Sequence, residues 1–591
     1  MLIKFLPAYA SIVIDVTVYG AKPNSFMDAT PYIQKAIARC SGNAETFLSF
    51  PKGRYDFWPA KAAVRNYFIS NTSSAQECPS KLKLIGLLFE NKRNIIIEGN
   101  GSLFVFHGKM ITFSFDHCDN ITLQNLEVDF ERPSMSEMII ETSSDSGITA
   151  SIHPDSKFAI VDDKLQWYGE GWGMNDFHAI LVNPADSTMK YSSWQPFREA
   201  KATLISTDRV RFTGDFKKQF YPWGSILTIR DPVRDHVGLF IHLSKNISLI
   251  NVEMHYMHGL GIISQFSQNL LFDHVRVTPS HDRMIAAFAD CLHFSACRGF
   301  ITIRHCHFKG SHDDDINVHG TQLRIVETIS SNSIRLRFMH SQSYGFTAYY
   351  AGDTVNFVHS ASLYTYASAI ISEARLVSEK EMVLKFTKPL PADMQKDDCL
   401  ENITWTPSLT IQNSVFEATD TRGILVTTPR KVIIDSNTFI KTGMQAILIA
   451  DDASSWYESG AVRNVSITNN SFINCGYNLG ENNYTISIAP ENHVLQNNFY
   501  VHSNIRILNN TFTTAGGALL SARSTDHLVF AGNIIQQALP GTQPAIQFTA
   551  CDNVQVQRNQ FINSKPAISI VGMTAESLRS DIKDVIIKSV N

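Results

Sequence analysis

At 591 residues, 44% hydrophobic and 18% charged, the chain has room for one large fold with insertions or for three ordinary domains. A formal net charge of −4 argues against a general nucleic-acid or membrane-surface binder, and no run reaches the roughly 18 apolar residues of a membrane span. The nine cysteines form no CxxC pair, which disfavours zinc-ribbon and redox motifs and predicts buried, apolar roles for most of them.

The chain opens on MLIKFLPAYASIVIDV, with one early lysine, an apolar stretch broken by Pro7, and the small-residue spacing Ala8-Tyr9-Ala10 of a signal-peptidase site. The apolar core is short, and the expectation is an extracytoplasmic address: periplasmic, secreted or cell-surface. Ile14 to Ala21 reads as a strand ending in glycine. Asp28-Ala29-Thr30 then starts a helix, with Pro31 in its first turn and Ile33, Ala36 and Ile37 on one face.

From Asn94 onward one pattern returns: asparagine, alternating apolar residues, then a second asparagine. It begins at Asn94, Asn120, Asn246, Asn269, Phe300, Ser408, Lys431, Asn464, Asn504, His527 and Asn553, with spacings that cluster at 23 and 26 residues. Each unit alternates like a half-buried strand and meets a corner where asparagine tolerates the left-handed conformation. Such a strand cannot bury its apolar face alone, but stacked coils can. Three short strands per coil of about 23 residues predict an all-β fold, a right-handed parallel β-helix, whose exposed end the N-terminal helix must cap. The Asn-x-Ser/Thr strings Asn469-Asn470-Ser471 and Asn509-Asn510-Thr511 then read as an asparagine ladder in preference to glycosylation sites.

Two stretches break the rhythm. Residues 133–235 hold alternating strands and the loop QWYGEGWGMNDF, and residues 321–405 hold LRIVETI, SIRLRFM, DTVNFVH and EMVLKFT. Each predicts a small antiparallel β-barrel inserted between coils. The chain divides accordingly into a cap with first coils (1–132), an inserted barrel (133–235), central coils (236–320), a second barrel (321–405) and C-terminal coils (406–591).

The central coils end in the chain's most acidic strand, GSHDDDINVHG. Asp290 precedes Asp313 by one 23-residue period, so the two are expected to stack about 4.8 Å apart with Asp314 alongside. Like charges so close cannot all ionise, and at least one pKa should rise. An acid and a base at one pH are what glycosidic hydrolysis needs. Aligning Ile316-Asn317-Val318 with Ile424-Leu425-Val426 puts Arg422 near Asp314, either to bind substrate or to neutralise the aspartates. The next coil adds Gln445, then a loop with Asp451, Trp456, Tyr457 and Glu458. Trp456 and Tyr457 offer faces to a sugar ring or simply pack the loop, the acids can hold hydroxyls, and His319 follows on the acidic strand. Asp315 is the triplet member least expected in the site. His305 and His307 flank Cys306 on one strand face, and a ladder position is expected there rather than a metal site.

These residues resemble known families. IDVTVYGAKPNSFMDATPYIQKAI resembles the opening cap of the pectin-degrading superfamily, VxDFGAxGDGxxDDTxAIQxAI, departing from it at Ser25-Phe26-Met27-Asp28-Ala29. The Asp290 to Asp313-Asp314 spacing is similar to that of polygalacturonases, although their NTD, GHG and RIK strings are not found in the expected forms. The closer resemblance, over nearly the whole chain and most specific at GSHDDDINVHG, is to glycoside hydrolase family 110, exo-acting α-1,3-galactosidases with a β-helix and inserted barrels. That resemblance implies hydrolysis of terminal α-1,3-linked galactose, as on blood-group-B-type glycans, with inversion and no cofactor. It implies Asp290, Asp313 and Asp314 as the catalytic positions and leaves open which is acid and which is base. Carboxylates stacked about 5 Å apart would suit retention by the usual separation rule, so inversion here comes from the resemblance alone. The expected partner is an oligosaccharide or glycoconjugate, with oligomeric state open. The competing readings are a polygalacturonase-like hydrolase, a Ca²⁺-dependent polysaccharide lyase with a Lys or Arg base, and a non-catalytic glycan-binding β-helix.

Overall fold

The computed structural model describes residues 11–588 apart from 43, 175–176, 479–483, 515–517, 538–544 and 564. The Ala8-Tyr9-Ala10 spacing lies outside the described residues. The first strand, Ile12–Asp15, is shorter than the sequence suggests. Asp15 accepts a hydrogen bond from the Thr17 amide and turns the chain into a 3-10 turn, Val16–Tyr19, that ends at left-handed Gly20. Helix α1 (Thr30–Arg39) follows, with Pro31 in its first turn and Thr30, Ile33, Ala36 and Ile37 buried. Asp28 accepts from the Thr30 amide at 3.0 Å and so supplies the oxygen that its start needs.

The body is a parallel β-helix. Strands stack coil on coil in strict register, from Leu409 through Val432, Val465, Ile505, Leu528 and Val554, and this apolar file is buried. The corners carry asparagines at positive φ, including Asn94, Asn120, Asn246, Asn269, Asn469, Asn504, Asn509 and Asn553. The expected ladder is present. Asn437, Asn470, Asn510 and Asn533 each donate a side-chain N–H to the side-chain oxygen of the next Asn, ending at Asn559, at 2.9–3.1 Å. Each of these four also donates to a backbone carbonyl of the preceding coil. Beside it runs an aromatic file, Phe308, Phe416, Phe439, Phe472 and Phe512, with ring centroids 4.7–5.3 Å apart. Ring pairs of this kind add about 0.5–1.5 kcal/mol each beyond simple burial.

The two insertions differ in closure. The first is a seven-stranded antiparallel sheet with a three-stranded companion, around its own core of Trp167, Trp194, Phe197, Phe212 and Tyr221. The second closes on itself through six antiparallel strands. Its first strand is the continuation of a helix coil. Six strands, all short except β4, stack along the site: β1 (Leu239–His242), β2 (Ile262–Gln265), β3 (Leu292–Ser295), β4 (Ile316–Ser330), β5 (Ile424–Val426) and β6 (Ile447–Ile449). Of these, β4 pairs in parallel with β3 and β5 through Ile316–Val318, then runs on into the barrel, where Arg324–Ser330 pair antiparallel. At the crossing, Gly320 and Thr321 pair with Ser459 and Glu458. A Cβ on Gly320 would stand 2.6 Å from Ser459 Oγ, so the approach requires glycine.

Candidate active site

Along β3 and β4 the apolar residues Leu292, Phe294, Ile316 and Val318 point into the core. Alternation therefore sends His293 and Asn317 to the other face. There they help to line a small cavity of about 100 Å³ with Asp290, Asp313, Asp314, Arg422, Arg234, Asn71, Trp456, Glu458, Leu260 and Leu425. The cavity thus gathers all three predicted catalytic aspartates and three of the six predicted binders: Arg422, Trp456 and Glu458.

The register corrects one detail. Leu292 pairs with Ile316, and the Cys291 amide donates to the Asp314 carbonyl, so Asp290 is level with Asp314 rather than Asp313. Asp313 projects toward the cavity mouth. Its side chain is 24% exposed, against 4% for Asp290 and 2% for Asp314. Arg422 is where the alignment expects it: its Nε donates to Asp314 Oδ1 at 2.7 Å, and its Nη2 lies 3.8 Å from Asp313 Oδ1. Arg234, at the end of the first insertion, approaches Asp313 Oδ2 at 3.3 Å and donates to Gln342 at 2.8 Å, so the two insertions meet at the rim.

Electrostatics follow from this burial. Desolvation, then the charge of Asp313, holds the Asp290 carboxyl well above the usual range, against the pull of Arg234 and Arg422. Burial likewise lifts Asp314 to about 7, although Arg422 opposes it. Burial also works against the Arg422 charge, but Asp314 and Asp313 override it and make its proton harder to remove. A second layer lies behind: burial lifts Asp420 to about 8 and lowers Arg230 to about 10. Two or more carboxyls with pKa values spread by environment form an acid–base set able to work near neutral pH.

The rim loop owes its shape to Asp452, whose carboxylate accepts from the backbone amides of Ser454, Ser455, Trp456 and Tyr457. This presents Trp456 at the cavity, with His340 packed on its ring at 3.8 Å and the Arg234 guanidinium 5.6 Å from it. Glu458 accepts from Asn71 at 2.6 Å, which ties the far wall to the N-terminal coils.

Three predicted binders lie outside the lining. Gln445 is level with Arg422 and half-buried, offering its backbone oxygen to Gly423. Asp451 is turned inward, accepting from the Gly460 amide at 3.2 Å and facing Glu401 and Arg463. His319 is buried behind His293, with their Nε2 atoms 2.9 Å apart. Of the remaining candidates, Tyr457 packs inside the loop and accepts from Arg324 at 2.6 Å. Asp315 is fully buried, held by Ser311 and Cys291 away from the cavity, in line with its low expectation. His305 and His307 pair with Asp273 and Glu417 on the coil surface, as a ladder position should.

Sequence reasoning missed Asn71, Arg234, His293, Asn317 and Asp420. Strand alternation could have found His293 and Asn317, which face each other across β3 and β4. Arg234 and Asn71 lie outside the periodic pattern. Among the described residues, two groups bring potential metal-ligand atoms within 4.8 Å of one another: Asp116, His117, His242 and Asp273, His274, His305. Both hold an aspartate followed by a left-handed histidine at a coil corner, and neither contributes to the cavity.

Comparison with known proteins agrees with this architecture. Family models match residues 136–227 as GLAA-B beta-barrel domain I, 333–400 as GLAA-B beta-barrel domain II and 402–580 as a right handed beta helix region. Alpha-1,3-galactosidase A of Bacteroides fragilis is 43% identical over 97% of this chain and 95% of its own length. Alpha-1,3-galactosidase B of Bacteroides thetaiotaomicron is 36% identical over 93% of this chain and 91% of its own. Alpha-1,3-galactosidase A of Akkermansia muciniphila is 36% identical over 82% of this chain and 80% of its own. With full-length relatives at this identity, and with both inserted barrels and the helix matched, the chain belongs to the α-1,3-galactosidase family of glycoside hydrolases.

Proposed function

We propose that this enzyme removes terminal α-1,3-linked galactose from glycans such as the blood-group-B-type trisaccharide or linear α-1,3-galactosyl structures, with inversion. The observation that carries the reading is the carboxyl trio lining one small cavity of about 100 Å³, too small to take a run of sugar rings, which suits attack on a chain end. Adjacent coils stand about 4.8 Å apart, a span that one water oxygen bridges with two hydrogen bonds of about 2.7 Å. The level pair Asp290 and Asp314 therefore holds the attacking water and takes its proton. Asp313, the most exposed of the three, faces the side from which the remaining glycan leaves, and donates to the departing oxygen.

The walls supply recognition. Trp456 gives an apolar face to the galactose ring. Arg422, Arg234 and Glu458 offer charged hydrogen-bonding groups to its hydroxyls. Asn317 Oδ1 is buried without a partner and accepts one hydroxyl proton. The carboxyls outnumber the two arginines, which favours a neutral sugar over a uronate.

The test is incubation with Galα1-3(Fucα1-2)Gal and with Galα1-3Gal, following free galactose and, by NMR, the anomer formed first. Release of β-galactose from either substrate supports the proposal. Release of α-galactose refutes inversion, and no release from either substrate, with or without Ca²⁺, refutes the activity.

A further inference from the structure

Behind the cavity lies a row of hydrogen bonds that the proposed chemistry has not used. Asp290 Oδ2 is 2.7 Å from His293 Nδ1, His293 Nε2 is 2.9 Å from His319 Nε2, and His319 Nδ1 is 2.6 Å from the Gly320 carbonyl oxygen. All three side chains are at least nine-tenths buried. Each of the three gaps needs one proton. The carbonyl can only accept, so the last proton sits on His319 Nδ1. A neutral His319 then accepts at Nε2, so the middle proton belongs to His293 Nε2, and a neutral His293 accepts at Nδ1. The first gap can then be filled only by a proton on Asp290 itself. Two neutral imidazoles and a carboxylate cannot fill the row, which holds one proton more than that set. The extra proton can sit on Asp290, His293 or His319, whose Nε2 also lies 3.7 Å from Glu458 Oε1. On Asp290 it leaves all three buried side chains uncharged, whereas on either imidazole it creates a buried ion pair. Burial disfavours charge on both Asp290 and His293, so the proton rests on the carboxyl.

Resting on the acid–base reading above, we propose that His293 and His319 are positioning residues that keep a stored proton on Asp290 Oδ2 and receive it at His293 Nδ1 when water is deprotonated. The step balances. An O–H bond of water breaks and its proton joins Asp290 Oδ1, while the Oδ2–H bond breaks and that proton joins His293 Nδ1. The water lone pair forms the new bond to the anomeric carbon. The old C–O bond gives its pair to the leaving oxygen, which takes the proton of Asp313. Asp290 ends neutral and His293 ends as imidazolium. On reset, His293 returns its proton to Oδ2, and the proton on Oδ1 passes through solvent to Asp313. His319 fixes the direction by accepting from His293. The groups facing this row are Asp314, Asp315 and Glu458, and Asp313 once it has given up its proton, which favour the extra proton of the row, and Arg234 and Arg422, which oppose it.

The tautomers can be read without turnover. In the protein labelled with ¹⁵N-histidine, with His293→Gln for assignment, long-range ¹H–¹⁵N spectra at neutral pH should show His293 protonated at Nε2 only and His319 at Nδ1 only. A wild-type His293 bearing a proton at Nδ1 overturns the proposal. This readout is independent of galactose release, so failure of the activity leaves it decisive. Two substitutions add a kinetic arm. His319→Gln keeps an acceptor for His293 and a donor for Gly320, and should leave the alkaline limb of kcat/KM where it is. His319→Met removes the acceptor, lets His293 turn its proton toward Asp290, and should move that limb down by about one pH unit or more with a tenfold or larger fall in kcat. Identical limbs in the two variants would mean that the pair merely packs.

Discussion

Arg422 offers the sharpest test of how this cavity divides its charge. Its Nε stands 2.7 Å from Asp314 Oδ1, and it is the only cation that directly bonds that buried carboxyl among the described residues. Two unit charges about 4 Å apart attract by about 4 kcal/mol at an effective dielectric near 20, and each pKa unit is worth about 1.4 kcal/mol, which sets a ceiling of about three units. Arg422→Gln retains an N–H donor and leaves Arg234 in place, so the residual effect should be about one to two units. The sign is fixed by the geometry: without the guanidinium, the charged form of Asp314 loses support, and its pKa rises from about 7. The charged form of Asp314 orients the attacking water by accepting its second O–H while Asp290 takes the first proton, so the acid limb of kcat/KM should move to higher pH by the same one to two units, with reduced activity at pH 7 and recovery toward pH 9. The assay is initial-rate galactose release from Galα1-3Gal between pH 4 and 10, beside thermal unfolding to show that the variant is folded. A folded Arg422→Gln enzyme with its acid limb within a few tenths of a unit of wild type, whatever its rate, would refute the idea that Arg422 sets the charge on Asp314.

Three further outcomes are expected. Asp313→Asn should lower kcat/KM about 10²- to 10⁴-fold on Galα1-3Gal but much less on 4-nitrophenyl α-galactoside, whose leaving group needs no proton; Asp290→Asn and Asp314→Asn should fail on both, and a reversed pattern would exchange the roles. Asp314 and Asp420 have folded pKa values near 7 and 8, above those of the unfolded chain, so the native state binds more protons and its stability should fall as pH rises from about 4 through those values. Asp420→Asn should flatten that decline in denaturant titrations between pH 5 and 9, and an unchanged slope would count against the buried neutral carboxyl. Asn510→Ala removes one rung of the ladder and strands the amide of Asn470, at a cost of about 2–4 kcal/mol in unfolding free energy while galactosidase rates at 25 °C stay near wild type.

The β-helix was legible because its strands repeat: an apolar alternation closed by asparagine encodes the same coil each time, and the stack has one register. The same regularity placed Arg422 against Asp314 across an entire inserted barrel. It misjudged the partner of Asp290 because the period counts residues, whereas the ladder is set by backbone pairing. The coil from Leu292 to Ile316 is one residue longer than the 23-residue period, which makes Asp314, not Asp313, level with Asp290. Asp451 looked available because acids in a loop are usually solvated; here its neighbour Asp452 ties down four loop amides, and Asp451 is turned inward beneath them. Arg234 and Asn71 come from segments with no repeat, and only the meeting of the insertions with the coils brings them to the rim. The His293–His319 row was invisible for another reason: its meaning lies in which nitrogen carries a proton, and a sequence says nothing about that.

The strand that leaves the coil at Val318 and enters the barrel has a consequence for how the molecule assembles. Most coils stack on neighbours a few tens of residues apart, but two seams span an insertion: Phe113 must find Leu239 across the first, and Ile316 must find Ile424 across the second. The entropic cost of closing a flexible segment grows only slowly with length, by about 0.6 kcal/mol per doubling, but the search is slow and a prefolded barrel shortens it. The coil stacks on either side of each insertion can therefore form early, while the seam between β4 and β5, like the one across the first insertion, closes late. Arg422 reaches Asp314 only across that seam. During refolding, catalytic competence should emerge after most of the strand signal is already in place, as a late and barrel-dependent event.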